Sequence, residues 1–341
     1  MAATKPLGAA IVGLGYWGPN LLRNFATSET WRVGWIVDTD ETRRTRMQRL
    51  YPNARASAAL DDALSDPAID LIAIATPPAT HHAMAMRAIA AGKNVLVEKP
   101  LAESVADARD LVETAARAGV RLFADHTFLY SGPVEAMRHS LVRGELGEIY
   151  YAESSRVNLG LFQQSNVILD LAPHDLSILN YVFGELPESI ACHAMACIHS
   201  PVWDVAFLLL RYGSGRVAQV HLSWLSPVKV RRMMLSASSR MVVWDDVDPS
   251  EKLRVYDKGV VSEPTSETLS KQMVSYRLGE VRIPIVDGRE PLAKLADDLH
   301  RALTAGGPSR IDAAVGYDVV RCIDAACRSA ELNGAWMELQ A

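Results

Sequence analysis

Cysteine is scarce: Cys192, Cys197, Cys322 and Cys327 are the only four in 341 residues. So few thiols in so long a chain do not make a disulfide framework, and reduced cysteines in a cytosolic protein are expected. Basic excess is also missing, because 35 Lys and Arg face 40 Asp and Glu for a net charge of −5. That balance gives no support for non-specific nucleic-acid binding, which needs a basic face. No apolar run approaches the roughly 20 residues that cross a bilayer. The opening "MAATKPLG" lacks the charged-then-apolar pattern of an export signal. Internal repeats and low-complexity segments are absent too. A soluble cytoplasmic chain with neither nucleic acid nor membrane as partner is expected.

What remains is an ordinary globular composition, 49% hydrophobic and 22% charged, long enough for two domains. The segment "ACHAMACIHS" calls for a metal check, since His193, Cys197 and His199 share strand parity. Zinc ligands usually come in pairs from turns, which this segment lacks. A strand carrying small buried cysteines, with no metal, is the expectation.

Short apolar runs at 9–12, 33–37, 70–75, 94–97 and 120–124 alternate with alanine-rich or charged stretches such as 80–91 and 104–118. Strand then helix, repeated, predicts a parallel sheet with helices on both faces. After about residue 126 the pattern changes. Helices are predicted over 132–143 and 170–183. Alternating segments follow at 148–158, 188–198, 203–212, 216–224, 229–238 and 240–247, with a Gly-Ser-Gly turn at 213–215. Successive strands without helices between them predict an antiparallel sheet. Residues 258–290 read as a loop or edge excursion, and helices over 291–305 and 312–333 close the chain. The fold class is thus an α/β Rossmann domain, residues 1–126, plus an α+β domain with a large open, mainly antiparallel sheet, residues 127–341. The closing helices are free to pack back on the first domain.

The chemistry starts at "GLGYWG", residues 13–18, which follows a predicted strand and precedes a predicted helix, Leu21 to Ser28. In that context G-x-G-x-x-G is a dinucleotide fingerprint. Gly13 permits the tight turn, Gly15 lets backbone approach a pyrophosphate, and Gly18 lets helix pack on strand. Tyr16 and Trp17 lie between them and join the cofactor-binding set. Asp38 ends the second strand, 20 residues beyond Gly18, where a carboxylate can accept from the adenosine ribose hydroxyls. A carboxylate there repels a 2′-phosphate, so NAD is favoured, while Arg43 and Arg44 keep NADP open. The fourth and fifth strands lead into "ATPPATHH" and "VEKP", at the carboxyl ends where open α/β sheets bind ligands. Pro100 sets the exit direction of Lys99, whose ammonium suits a developing alkoxide.

"AIVGLGYWG", "ATPPATHH", "VLVEKPLA" and "LDLAPHDLSIL" occur in an order that resembles the glucose–fructose oxidoreductase, inositol dehydrogenase and rhizopine-catabolism (Gfo/Idh/MocA) family, over essentially the whole chain. The resemblance implies a nicotinamide-dependent dehydrogenase. Lys99 resembles the lysine at the reacting hydroxyl and Glu98 the residue near the nicotinamide ribose. Thr76, Pro77 and His81 resemble the cofactor-side loop, and Asp170 and His174 match the family's D-x-x-x-H pair. That spacing puts both on one helix face, with His174 as general base and Asp170 orienting it or binding a substrate hydroxyl. Where many members carry glycines, this chain has Gln164-Ser165-Asn166-Val167-Ile168, so the backbone before Asp170 is expected to differ.

"GYWGPNLLRNF" and "SSRVNLGLFQQSNVILDLAPHD" resemble a branch associated with nucleotide-linked sugars, implying oxidation of a ring hydroxyl at C3 of a nucleotide-linked, N-acetylated hexose. Arg156 and Asn158 share a strand face, and Arg156 suits a pyrophosphate. Tyr130 is a further candidate sugar contact. A free sugar, inositol or other polyol is the alternative substrate. A dinucleotide-binding regulator without turnover is the alternative of another class. The apolar alternation over 203–247 predicts a homodimer or homotetramer through that sheet.

Overall fold

Buried strands with short crossovers organise the amino-terminal part of the chain. The structure is a computed structural model describing residues 6–160, 165–198, 200–261 and 275–339. His199 and Gln164 lie outside the described residues. The chain divides into two compact units, Met1–Tyr130 with Arg289–Asp324, and Ser131–Gly288 with Ala325–Ala341.

In the first unit β1 (Leu7–Val12) leads to α1 (Gly18–Thr27), β2 (Trp31–Val37), α2 (Glu41–Leu50), β3 (Arg55–Ser57) and α3 (Leu60–Leu64). Then come β4 (Leu71–Ile74), α4 (His81–Ala90), β5 (Asn94–Glu98), α5 (Val105–Ala118) and β6 (Leu122–Asp125). The strands form a parallel sheet in the order β3-β2-β1-β4-β5-β6. Leu71 to Ile74 and Val95 to Val97 have no exposed surface, as strands covered on both faces require. Chain order reverses between β1 and β4, so the loops after these strands open at a switch point, where doubly wound sheets bind ligands. Ser104 caps α5 by accepting from the Asp107 N–H, and Gly119 ends it with positive φ.

The second unit holds α6 (Gly132–Val142), β7 (Ile149–Leu159), α7 (Val167–Phe183), β8 (Pro187–Met195), β9 (Val205–Tyr212) and β10 (Val217–Ser223). It continues through β11 (Leu225–Ala237), β12 (Met241–Asp245), β13 (Leu253–Val261) and β14 (Ser275–Arg282). Two helices follow, α8 (Pro291–Thr304) in the first unit and α9 (Ala313–Glu331), which the division crosses after Asp324; β15 (Met337–Glu338) is the last strand. The strand order is β14-β13-β12-β11-β7-β10-β9-β8-β15. All described neighbours pair antiparallel except β7 with β10, which run parallel. Residues 258–290, read from the sequence as a loop or edge, include β14 and the last four residues of β13 as paired strands at one sheet edge.

α7 begins where Asn166 accepts from the N–H groups of Ile168 and Leu169, a side-chain cap that glycines could not supply. Pro173 lies inside this helix and cannot donate to the Leu169 carbonyl, which loses its intrahelical partner.

Candidate functional site

The glycine loop has the three roles its spacing implies. Gly13 has φ +90, and a Cβ there would sit 2.6 Å from the Ala75 carbonyl oxygen. At Gly18 a Cβ would come 1.8 Å from the Gly13 carbonyl oxygen, so α1 closes directly on the turn. At Gly15 a Cβ would meet nothing nearer than Arg43 Nη1 at 3.9 Å. The backbone is therefore tight where it packs and open where a pyrophosphate would approach, with the α1 N-terminus behind it. These residues fit a dinucleotide.

Asp38 is almost buried and already engaged. Its Oδ2 accepts from the Leu14 N–H at 2.6 Å and its Oδ1 from the Asp40 N–H at 2.8 Å. Arg43 Nη1 lies 3.9 Å from Oδ2, and Arg44 donates to the Asp38 carbonyl at 2.6 Å. The carboxylate thus ties the second strand to the glycine loop and keeps lone pairs for a ribose hydroxyl. Tyr16 is 92% exposed. Trp17 turns inward, its indole N–H donating to Asp125 Oδ2 at 2.8 Å.

After β4, Thr76 Oγ1 bonds Thr80 Oγ1 at 2.7 Å, and Pro77 is exposed. His81 corrects the sequence reading, because it is fully buried, with both ring nitrogens against backbone carbonyls. Its ring nitrogens lie 2.8 Å from the Pro100 carbonyl and 2.9 Å from the Thr76 carbonyl, clamping the loops after β4 and β5 together. Burial drives its pKa down, whereas the two carbonyl acceptors favour the protonated ring. Glu98 and Lys99 are half-buried at the end of β5; the Glu98 carboxylate accepts from the Lys99 backbone N–H, and the Lys99–Pro100 peptide is cis.

Asp125 and His126, beside them at the end of β6, escaped the sequence reading. Both are buried. Burial pushes the Asp125 pKa up, against hydrogen bonds from Thr127 and Trp17 and the charge of Lys99. Burial, aided by the Lys99 charge, pushes His126 down to about 3. The signal was available: the rule that selected the ends of β4 and β5 applies equally to "ADH" at the end of β6. Tyr130 is a second correction. It is 2% exposed and its hydroxyl donates to Asp298 Oδ2 at 2.6 Å, so it packs inside the first unit rather than awaiting a sugar.

In the second unit Asp170 and His174 are half-buried, one turn apart on α7, and the Trp224 indole donates to Asp170 Oδ2 at 3.1 Å. Arg156 is a third correction. Its Nε and Nη2 bond the two oxygens of Asp175 at 2.7 and 3.2 Å, with side-chain exposures of 4% and 2%. Ser154 Oγ also donates to Asp175, at 2.8 Å. This face of β7 packs on α7, which consumes the guanidinium that the sequence reading offered to a pyrophosphate. Asn158, two residues on, is half-buried, with Oδ1 buried and unpartnered.

Among the described residues no group of three or more His, Cys, Asp or Glu could hold a metal. Cys197 lies past the end of β8 and is exposed, not the small buried residue expected; its N–H donates to Asp204. No described helix is long and apolar enough to cross a membrane.

Residues 7–126 match the family described as "Oxidoreductase family, NAD-binding Rossmann fold", and residues 134–243 match "GFO/IDH/MocA C-terminal domain". A 1,5-anhydro-D-fructose reductase of Ensifer adhaerens is 30% identical over 180 residues, 49% of this chain and 54% of the relative. The first curated relatives are matched over less than two thirds of their length. GenD2 from gentamicin A biosynthesis, solved with NAD, superposes with a TM-score of 0.83 at 23% identity, covering 100% of this chain and 98% of its own. UDP-N-acetylglucosamine 3-dehydrogenase GnnA from Acidithiobacillus ferrooxidans superposes with a TM-score of 0.80 at 22% identity, covering 96% and 99%.

Proposed function

Because this chain belongs to the Gfo/Idh/MocA oxidoreductase family, with an NAD-binding Rossmann domain at residues 7–126, we propose that it oxidises or forms a sugar ring hydroxyl with NAD. The observation that carries the reading is the end of the parallel sheet. An open Gly15 backbone, Asp38 and the Glu98-Lys99 turn share the carboxyl edge of one sheet. Gly13, Gly15, Trp17, Gly18, Asp38, Thr76, Pro77 and Glu98 form the cofactor-binding set. Bound there, the nicotinamide supplies a hydride acceptor, or a donor in the reverse direction. Lys99 stabilises the negative charge that grows on the substrate oxygen as the carbon–hydrogen bond breaks. His174 takes the hydroxyl proton and Asp170 orients it or the sugar. The oxidised substrate would then be a ketone, with the hydroxyl proton held on the His174 imidazole.

For the substrate we favour C3 of a nucleotide-linked hexose. The support is the run "SSRVNLGLFQQSNVILDLAPHD" and the shared fold with GnnA. A free sugar or polyol is the second reading, favoured by the identity to the anhydrofructose reductase. The test follows NADH formation over a panel of nucleotide-linked hexoses, free sugars and inositol. Turnover confined to the nucleotide-linked members is expected, whereas turnover of glucose or inositol alone overturns this choice. Lys99→Ala is expected to lower kcat by roughly 10²–10³-fold, with NAD affinity nearly intact.

A homo-oligomer through the second-unit sheet completes the proposal. Tyr151, Phe207, Leu209 and Val217 are all at least 40% exposed on neighbouring strands β7, β9 and β10, an apolar patch that a second copy would cover.

A further inference from the structure

We propose that Trp224 is a positioning residue for Asp170: its buried indole N–H fixes the direction of the carboxylate on α7. The proposal rests on the hydride-transfer reading, in which Asp170 orients His174 or the sugar, and deepens it. Trp224 is 1% exposed and is the single residue between β10 and β11. Its Nε1 donates to Asp170 Oδ2 at 3.1 Å. An indole N–H only donates and an ionised carboxylate only accepts, so the bond has one polarity. It takes one of about four lone-pair sites on the carboxylate, which orients the group without using up its capacity to accept.

The bond is held from both ends. The Trp224 backbone N–H donates to the Asp204 carbonyl at 3.0 Å, and the Trp224 carbonyl accepts from the Gly160 N–H at 3.1 Å. Asp204 has no exposed surface, and its carboxylate accepts from the N–H groups of Cys197 and Ile198, which fixes the segment ahead of β9. The same segment receives α7, because the Val167 N–H donates to the Trp203 carbonyl at 2.9 Å. Asp170 lies one turn along α7 from Val167. The indole and the carboxylate therefore hang from two consecutive residues, Trp203 and Asp204. Gly160 supplies the room, since a Cβ there would lie 3.1 Å from Trp224 Cδ1, the ring atom beside Nε1. Packing alone asks for a large apolar ring at 224; it does not ask for an N–H aimed at the carboxylate.

The test separates the N–H from the ring. Benzothienylalanine placed at Trp224 keeps the bicyclic shape and carries sulfur where the N–H stands, and Trp224→Phe keeps a smaller ring. Each is expected to lower kcat about tenfold while the NAD Kd stays within about threefold. In an Asp170→Asn background neither should lower kcat by more than about twofold, because the acceptor of the bond is already altered. An equal loss in both backgrounds, or a benzothienylalanine enzyme as fast as the parent, overturns the proposal. A second readout needs no turnover. Among the indole N–H signals of the seven tryptophans in NMR of the full chain, that of Trp224 is identified by its loss in either variant. Asp170→Asn exchanges a charged acceptor for a weaker neutral one, so this proton is expected to move upfield. A signal indifferent to Asp170→Asn overturns the proposal, whether or not any sugar is oxidised. A signal that moves in a chain that oxidises nothing upholds the tether and removes the hydride-transfer reading alone. Should Trp224→Phe fail to fold, the benzothienylalanine chain carries both readouts.

Discussion

Deleting one member of the Arg156–Asp175 pair tests the account of β7 and α7. The guanidinium meets both carboxylate oxygens, at 2.7 and 3.2 Å, with both side chains nearly sealed from water. Two unit charges about 4 Å apart attract by roughly 4 kcal/mol at an effective dielectric near 20. Desolvation offsets much of that, so the pair contributes little net stability. Removing one partner is different, because it strands the other charge inside, at a cost of about 3–5 kcal/mol. Asp175→Ala and Arg156→Met should each lose about that much in urea unfolding. Arg156→Met combined with Asp175→Leu should lose far less than the sum, since no charge is stranded. Substrate KM should barely change wherever the variants remain folded. If Arg156→Met keeps its stability within about 1 kcal/mol and raises KM only for nucleotide-linked sugars, the structural reading fails and the pyrophosphate role returns.

Three further outcomes are expected. Gly18→Ala drives a Cβ into the Gly13 carbonyl and should destabilise the first unit, whereas Gly15→Ala should fold normally and bind NAD at least about tenfold more weakly by titration calorimetry. His126 binds no proton in the folded chain until about pH 3, while its unfolded counterpart takes one near 6.5. The unfolded state therefore binds more protons across that window, and stability is lost as pH falls through it. His126→Phe should remove that slope, gaining on the parent by about 2 kcal/mol between pH 7 and 5 in denaturant titrations. Light scattering at micromolar protein should give a dimer or tetramer, and Phe207→Glu with Leu209→Glu should shift it toward monomer; a monomeric parent refutes the sheet interface.

Much of the first unit was legible because its chemistry is local. Gly13, Gly15 and Gly18 act within one turn, and the apolar runs 94–97 and 70–75 mark strands β5, one residue longer than its run, and β4. Helix α2 was not singled out, since Met47 is its one buried residue and nothing marks an apolar face. In the second unit the alternation revealed strands but not their order. Nothing local says that β10 lies parallel to β7, because that pairing joins residues far apart in the chain. β13 and β14 lie at a sheet edge and carry weak patterning, which reads as loop. Arg156 was misread for the same reason: parity shows which face it shares, not that Asp175 waits on the helix above. His81 looked like a loop residue beside the cofactor, yet its two carbonyl partners come from loops that only the fold brings together.

The most direct test follows the hydride itself. A hexose deuterated at the ring carbon that is oxidised, nucleotide-linked and incubated with NAD, should pass its label to the nicotinamide, as read by mass spectrometry of the reduced cofactor. Lys99→Ala should slow that transfer while still retaining NAD. Label that appears in water or stays on the sugar, with the cofactor demonstrably bound, would contradict direct transfer at this site.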